Sequence, residues 1–150
     1  MTSTKKKHKS IVALHRYFIW ANMMRTQFHA TFSADPSSLE IWSGDSIERT
    51  AYLSYWYAAL HVVVEGWRRL RLHDAEIEKL LGRTDMIRLL RDHRHAVFHF
   101  SPHYYDDRLM AFLKGGADSA RWARHLNRAF GRYLLAYSEN HQDETRRRSR

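Results

Sequence analysis

The residues most able to do chemistry lie in one short run, Arg94-His95-Ala96-Val97-Phe98-His99. Arginine stays charged at every biological pH and offers a planar fork of donors that fits a phosphate, whereas histidine gains and loses a proton near neutrality. Together the two side-chain types suffice to hold a phosphodiester and move a proton. In RNA the ribose 2′-hydroxyl can attack the adjacent phosphorus, with a histidine carrying the proton and an arginine stabilising the charge that grows on the phosphate. At 100° per helical residue, Leu90, Arg94 and Val97 share one stripe, which places Arg94 on or beside an apolar face. Arg91, His95 and His99 follow at steps of four on an adjacent polar stripe, and both stripes suit phosphate contact.

Other pairings meet the same spacing. Arg88 with His93, or Arg88 with His95, also sets an arginine ahead of a histidine, but neither pair has the apolar Ala96-Val97-Phe98 spacer. His95 and His99 at i and i+4 could share a metal ion with His93 or His103, although no carboxylate triad or HExxH helix accompanies them. A structural reading has His99 capping helix-end carbonyls and Arg94 holding a buried carboxylate. Glu65, set among Trp56, Val62, Val64 and Trp67, is that candidate carboxylate: it can orient Arg94 or His99 by a charge-assisted hydrogen bond, or pair with Arg68 or Arg69 on its own helix.

The Arg94 to His99 run resembles the R-x4-6-H motif of HEPN domains, and His95 fits that motif's preference for Asn, Asp or His directly after the arginine. The resemblance implies an α-helical bundle over roughly residues 10 to 138 that acts as a metal-independent endoribonuclease. It further implies a cytoplasmic toxin or phage-defence effector in which two copies meet as a homodimer and share a composite site. Carried onto this chain, it makes Arg94 the phosphate-facing residue, His99 the catalytic histidine and His95 the polar helper. Glu65 and Arg91 become supporting residues. RNA is the expected partner, touched also by Arg88, Tyr104 and Tyr105, and an antitoxin protein is a further possible partner. No cofactor and no metal are expected.

The elements that must position these groups read as helices throughout, because apolar residues recur at three and four rather than two. Ser10 is expected to cap a first helix to about residue 30, with Ile11, Leu14, Phe18 and the Trp20 to Met24 region buried. The SADPSS segment breaks it, and Asp45 with Glu48 forms a capping box that opens a second helix through about Arg71. Asp74 starts and Gly82 follows a short helix. The motif helix begins at Thr84 or Asp85 and must stop near Phe100, since Pro102 disfavours helical geometry at Ser101. A short helix in YYDDRLMAFL and a last one from about Asp118 to Tyr137 complete an all-α antiparallel bundle of four to five main helices with short connecting helices. Trp20, Trp42, Trp56, Trp67 and Trp122 are expected in its core.

Composition bounds the rest. The 150 residues suit a single domain, and the 44% hydrophobic content excludes a chain that is mostly disordered. The absence of cysteine removes disulfides, thiolate metal sites and cysteine nucleophiles, and points to a cytoplasmic setting. No apolar run reaches the roughly 20 residues that a membrane helix needs, so no membrane partner is expected. A net charge of +9 favours polyanions. The basic runs at residues 1–9 and 139–150 read as mobile tails, which gives a second functional class: a helical adaptor or nucleic-acid-binding module without catalysis.

Overall fold

Two long helices, α1 (Ser3–Ala34) and α2 (Gly44–Arg69), form an antiparallel hairpin at the N-terminal end of a bundle whose coordinates come from a computed structural model. The structure describes the backbone of residues 3–34 and 44–148 and the side chains of residues 6–31 and 47–141. At the closed end of the hairpin the Arg49 guanidinium donates to the Thr31 carbonyl at 3.2 Å. At the other end Gly66 lets α1 come close: a β-carbon there would stand 2.5 Å from the Leu14 side chain.

The chain continues through α3 (Ala75–Leu81), α4 (Thr84–Phe98), α5 (Asp107–Lys114) and α6 (Gly116–Arg148). There is no strand among the described residues, so the all-α bundle expected from the periodicity is the observed architecture. α4 packs on α2, α5 follows α4, and α6 lies against α1, α3 and α5. Residues 18 and 131, and residues 22 and 127, face each other across α1 and α6, so that pair is antiparallel.

Local signals account for several boundaries. Asp74 caps α3, accepting from the backbone N–H groups of Glu76 and Ile77, as its position predicts. α4 ends at Phe98, and His99 turns extended at φ −119° and ψ 127°, three residues before Pro102. The core is aromatic and aliphatic: Trp56, Trp67, Phe112, Phe130, Leu60 and Leu90 are essentially without solvent exposure.

Three expectations are corrected. α1 begins at Ser3, not at a Ser10 cap, and the Ser10 hydroxyl instead donates back to the Lys6 carbonyl at 3.1 Å. α6 runs on to Arg148, so helix replaces both expected tails over residues 3–9 and 139–148. Lysine, arginine and glutamate are good helix formers, and the two extensions also brace each other: the His8 ring stacks on His141 with centroids 4.0 Å apart. Trp20 is not core. It is half exposed on the outer side of α1, packed edge-on to Tyr17 beneath the Arg16 guanidinium, because Ile11, Leu14, Phe18 and Ala21 take the inner stripe. The SADPSS break, the Asp45 side chain and Trp42 lie outside the described residues.

One buried polar chain ties three helices. The Trp56 indole N–H donates to Asn127 Oδ1 at 3.0 Å, and Asn127 Nδ2 donates to Asn22 Oδ1 at 3.2 Å. Asn127→Ala orphans the buried indole donor and is expected to cost about 1–3 kcal/mol. The measurement is a lower denaturation midpoint at unchanged denaturant slope. Adding Trp56→Phe should then cost less than Trp56→Phe alone, since it removes the orphaned group.

Candidate functional site

Arg94 and Glu65 meet where α4 crosses α2. Leu90, one turn before Arg94 on the same stripe, is fully buried, and α4 packs on α2. That packing carries Arg94 into the cleft, with its side chain about one-third exposed and Nη1 3.6 Å from Glu65 Oε1. The contact is an ion pair too long for a hydrogen bond, and Nε of Arg94 is buried without an acceptor. An unfilled buried donor costs on the order of 1–3 kcal/mol, so the guanidinium sits in the cleft without being saturated there. Glu65 is half exposed and also borders an open cavity of ≈ 580 Å³ between α1 and α2, whose wall includes Tyr17, Val62 and Arg69. A pair this open to water contributes little to stability, at most about 1 kcal/mol.

His61, four residues before Glu65, completes the cluster and has no part in the expectations drawn from the sequence. Its ring is buried, with Nδ1 3.8 Å from Glu65 Oε1. Burial pushes its pKa down to about 4, and Glu65 only partly offsets that against the added repulsion of Arg94, Arg68 and Arg91. At neutral pH His61 is therefore uncharged, and its approach to Glu65 is not an ion pair. A lone histidine at i−4 from a lone glutamate, in the otherwise apolar run AALHVVVEGW, was the available signal.

The remaining motif residues divide between solvent and core. His95 and His99 are exposed and stack on one another, with centroids 5.4 Å apart and planes within 19°, at the broken end of α4. The backbone N–H of His99 bonds the His95 carbonyl at 3.0 Å, so the main chain of His99 closes the helix and leaves its imidazole outside. Arg91 is exposed and turned onto its neighbour Asp92 at 2.9 Å. Arg88 is also exposed. His93 is fully buried and donates through Nδ1 to the Leu109 carbonyl at 3.0 Å, joining α4 to the helix that follows. Its pKa is lowered by burial, against the pull of the Leu109 and Ser54 backbones. The alternative pairing of Arg88 with His93 is thus divided between surface and core, and the structural role falls to His93.

Beyond α4, Tyr104 and Tyr105 are exposed and set edge to face at 4.9 Å. Asp106 caps α5 and pairs with Arg108 at 2.8 Å, which holds its carboxyl well below the usual carboxylate range.

No family model, curated protein or solved structure matches this chain. Among the described residues no three histidine or carboxylate side chains converge as a metal ion would require. No helix among them is long and apolar enough to cross a membrane. The chemistry available at the end of α4 is that of one unsaturated guanidinium and two solvent-facing imidazoles.

Proposed function

We propose that this chain is a metal-independent endoribonuclease of the HEPN type, a cytoplasmic toxin or defence effector, that cuts RNA by 2′-hydroxyl attack. The observation that carries the reading is Arg94. It is a cation held in the α2/α4 cleft, ion-paired at 3.6 Å but not hydrogen-bonded to Glu65, on the same helix as His95 and His99, which stack at the broken end of α4. In this reading Arg94 takes a non-bridging oxygen of the scissile phosphate through its open Nη donors, and Glu65 keeps the guanidinium in register. One histidine removes the 2′-hydroxyl proton as the new O–P bond forms. The bond from phosphorus to the 5′-oxygen then breaks, and a second histidine or water returns a proton to that leaving oxygen. The products are a 2′,3′-cyclic phosphate and a free 5′-hydroxyl.

His99 is solvent-facing rather than in contact with Arg94 within one chain, which suits a site completed by a second copy. An exposed aromatic surface at that end supports self-association: Phe98, Phe100 and Tyr105 are all more than half exposed, and Tyr55 packs on Phe98 at 6.1 Å. Purified protein incubated with end-labelled RNA in EDTA is expected to cleave, and His99→Ala to abolish cleavage. Absence of cleavage, or equal cleavage by His99→Ala, would leave only a binding module. Light scattering at micromolar concentration is expected to give the mass of a dimer, and a pure monomer would remove the composite site.

A further inference from the structure

A second basic site lies between α1 and α6 and shares no residue with the Arg94 cluster. It is an open groove of ≈ 490 Å³ whose polar lining includes Asn22, Arg25, Arg124, Asn127, Arg128 and Arg132. Its arginines are placed by specific contacts. Arg25 Nε donates to Asn22 Oδ1 at 2.8 Å. Asn22 is itself held by Asn127, whose side chain is anchored on the buried Trp56 indole. The fork of Arg25 is thus oriented by a chain of hydrogen bonds reaching into the core, which is unusual for a residue that only keeps a protein soluble.

On the facing helix Arg124, Arg128 and Arg132 recur at steps of four, about 6 Å apart along the axis. Like charges at that spacing destabilise a helix, by a few tenths of a kcal/mol per pair. Only Arg132 is relieved, by Asp74 at 2.6 Å and Glu76 at 3.2 Å. No carboxylate pairs with Arg124, Arg128 or Arg25 among the described residues. Their field reaches His29, whose pKa is lowered by its partial burial and then by Arg25 and Arg124. Phe18 and the exposed Leu135 supply apolar surface within the same groove.

We infer that the α1/α6 groove binds a single strand of nucleic acid along its phosphates, with Arg25 on one wall and Arg124 and Arg128 on the other. Repetition decides for a strand over a lone anion. Cations spaced along a helix and facing a third across a groove meet successive phosphates, whereas one ion would need them to converge on a point. The groove works whether or not the α4 site cleaves, so its test is a binding measurement in a His99→Ala background.

The probe is a fluorescein-labelled 12-nucleotide oligouridine RNA, followed by anisotropy from 50 to 200 mM salt. Arg124→Gln with Arg128→Gln, both at exposed helix positions, is expected to weaken binding about tenfold. It should also lower the slope of log affinity against log salt by about 1.4, roughly 0.7 for each phosphate that the protein no longer neutralises. The charge-matched pair Arg71→Gln with Arg83→Gln, exposed and outside both the groove and the Arg94 cluster, is expected to stay within about twofold of the parent. Asn22→Ala, which keeps every charge but frees Arg25, is expected to weaken binding severalfold, with circular dichroism confirming the fold. Equal losses in the two arginine pairs would reduce the groove to general charge, and no loss in the groove pair would remove it. Displacement of the RNA by 10-fold molar excess of inorganic phosphate over protein would make it a single-anion pocket and overturn the strand.

Discussion

Replacing Arg94 by alanine is expected to lower RNA cleavage by about 100- to 1,000-fold, the usual effect of losing one donor to a developing oxyanion. The fold should survive, because the side chain is one-third exposed and its ion pair with Glu65 is open to water. Arg94→Lys keeps the charge but loses the planar fork, and should recover only a small part of the rate. Glu65→Gln tests positioning. If Glu65 acts through Arg94, its substitution lowers kcat more than it raises KM, and has almost no further effect once Arg94 is alanine. Additive effects of the two substitutions would separate the residues and leave Glu65 outside the site. An Arg94→Ala protein that cleaves at the parent rate would remove Arg94 from the chemistry.

Acid should destabilise the protein through His61 before the carboxylates begin to protonate. The folded-state pKa of about 4 lies below the ordinary 6.5, so the unfolded chain binds the proton more readily. Stability from this group is complete above about pH 6.5 and is lost as the pH falls toward 4. The shift corresponds to about 3 kcal/mol at its full extent. His93, whose pKa is lowered in the same direction, adds to the loss. Asp85, lowered to about 2 by its contact with Arg83, loses its contribution in the same direction but in a lower window: it is intact at pH 5 and fades only below the ordinary carboxylate range. Urea unfolding at several pH values should show the parent losing stability between pH 6.5 and 4, with His61→Leu distinctly flatter. Parallel curves for the two proteins would show that His61 is not held neutral by burial.

Much of the helical pattern is written in residues close along the chain. The Leu90, Arg94, Val97 stripe anticipates a half-buried Arg94, because three residues spaced three and four apart on one helix share a side whatever it packs against. Asp74 at the start of α3 and Pro102 beyond the end of α4 act through their own backbones and immediate neighbours, so they too are legible. Glu65 is legible as a candidate partner for Arg94, since both sit at the edges of apolar stripes.

Other features depend on groups distant in sequence. His93, His95 and His99 are the same residue type within seven positions, yet one is buried against the Leu109 carbonyl and two stack in solvent. Nothing in the local pattern separates them, because the acceptor that offsets the burial of His93 comes from α5. Trp20 is as apolar as Trp56 but faces out, since Ala21 and Phe18 occupy the side of α1 that the rest of the bundle covers. The two basic ends read as tails because charge density favours solvation, and they are helical where α1 and α6 brace one another through His8, Tyr137 and His141.

The all-α class and several helix boundaries were legible from the residues alone. Those follow from hydrogen bonds and periodicities that span at most a few turns. Only the tertiary structure decided that His61 joins Glu65 and Arg94, that His93 leaves the surface, and that arginines more than 90 residues apart line one groove. Such juxtapositions arise when apolar faces of separate helices are buried together, and that choice of partners is made by the whole bundle rather than by any one segment.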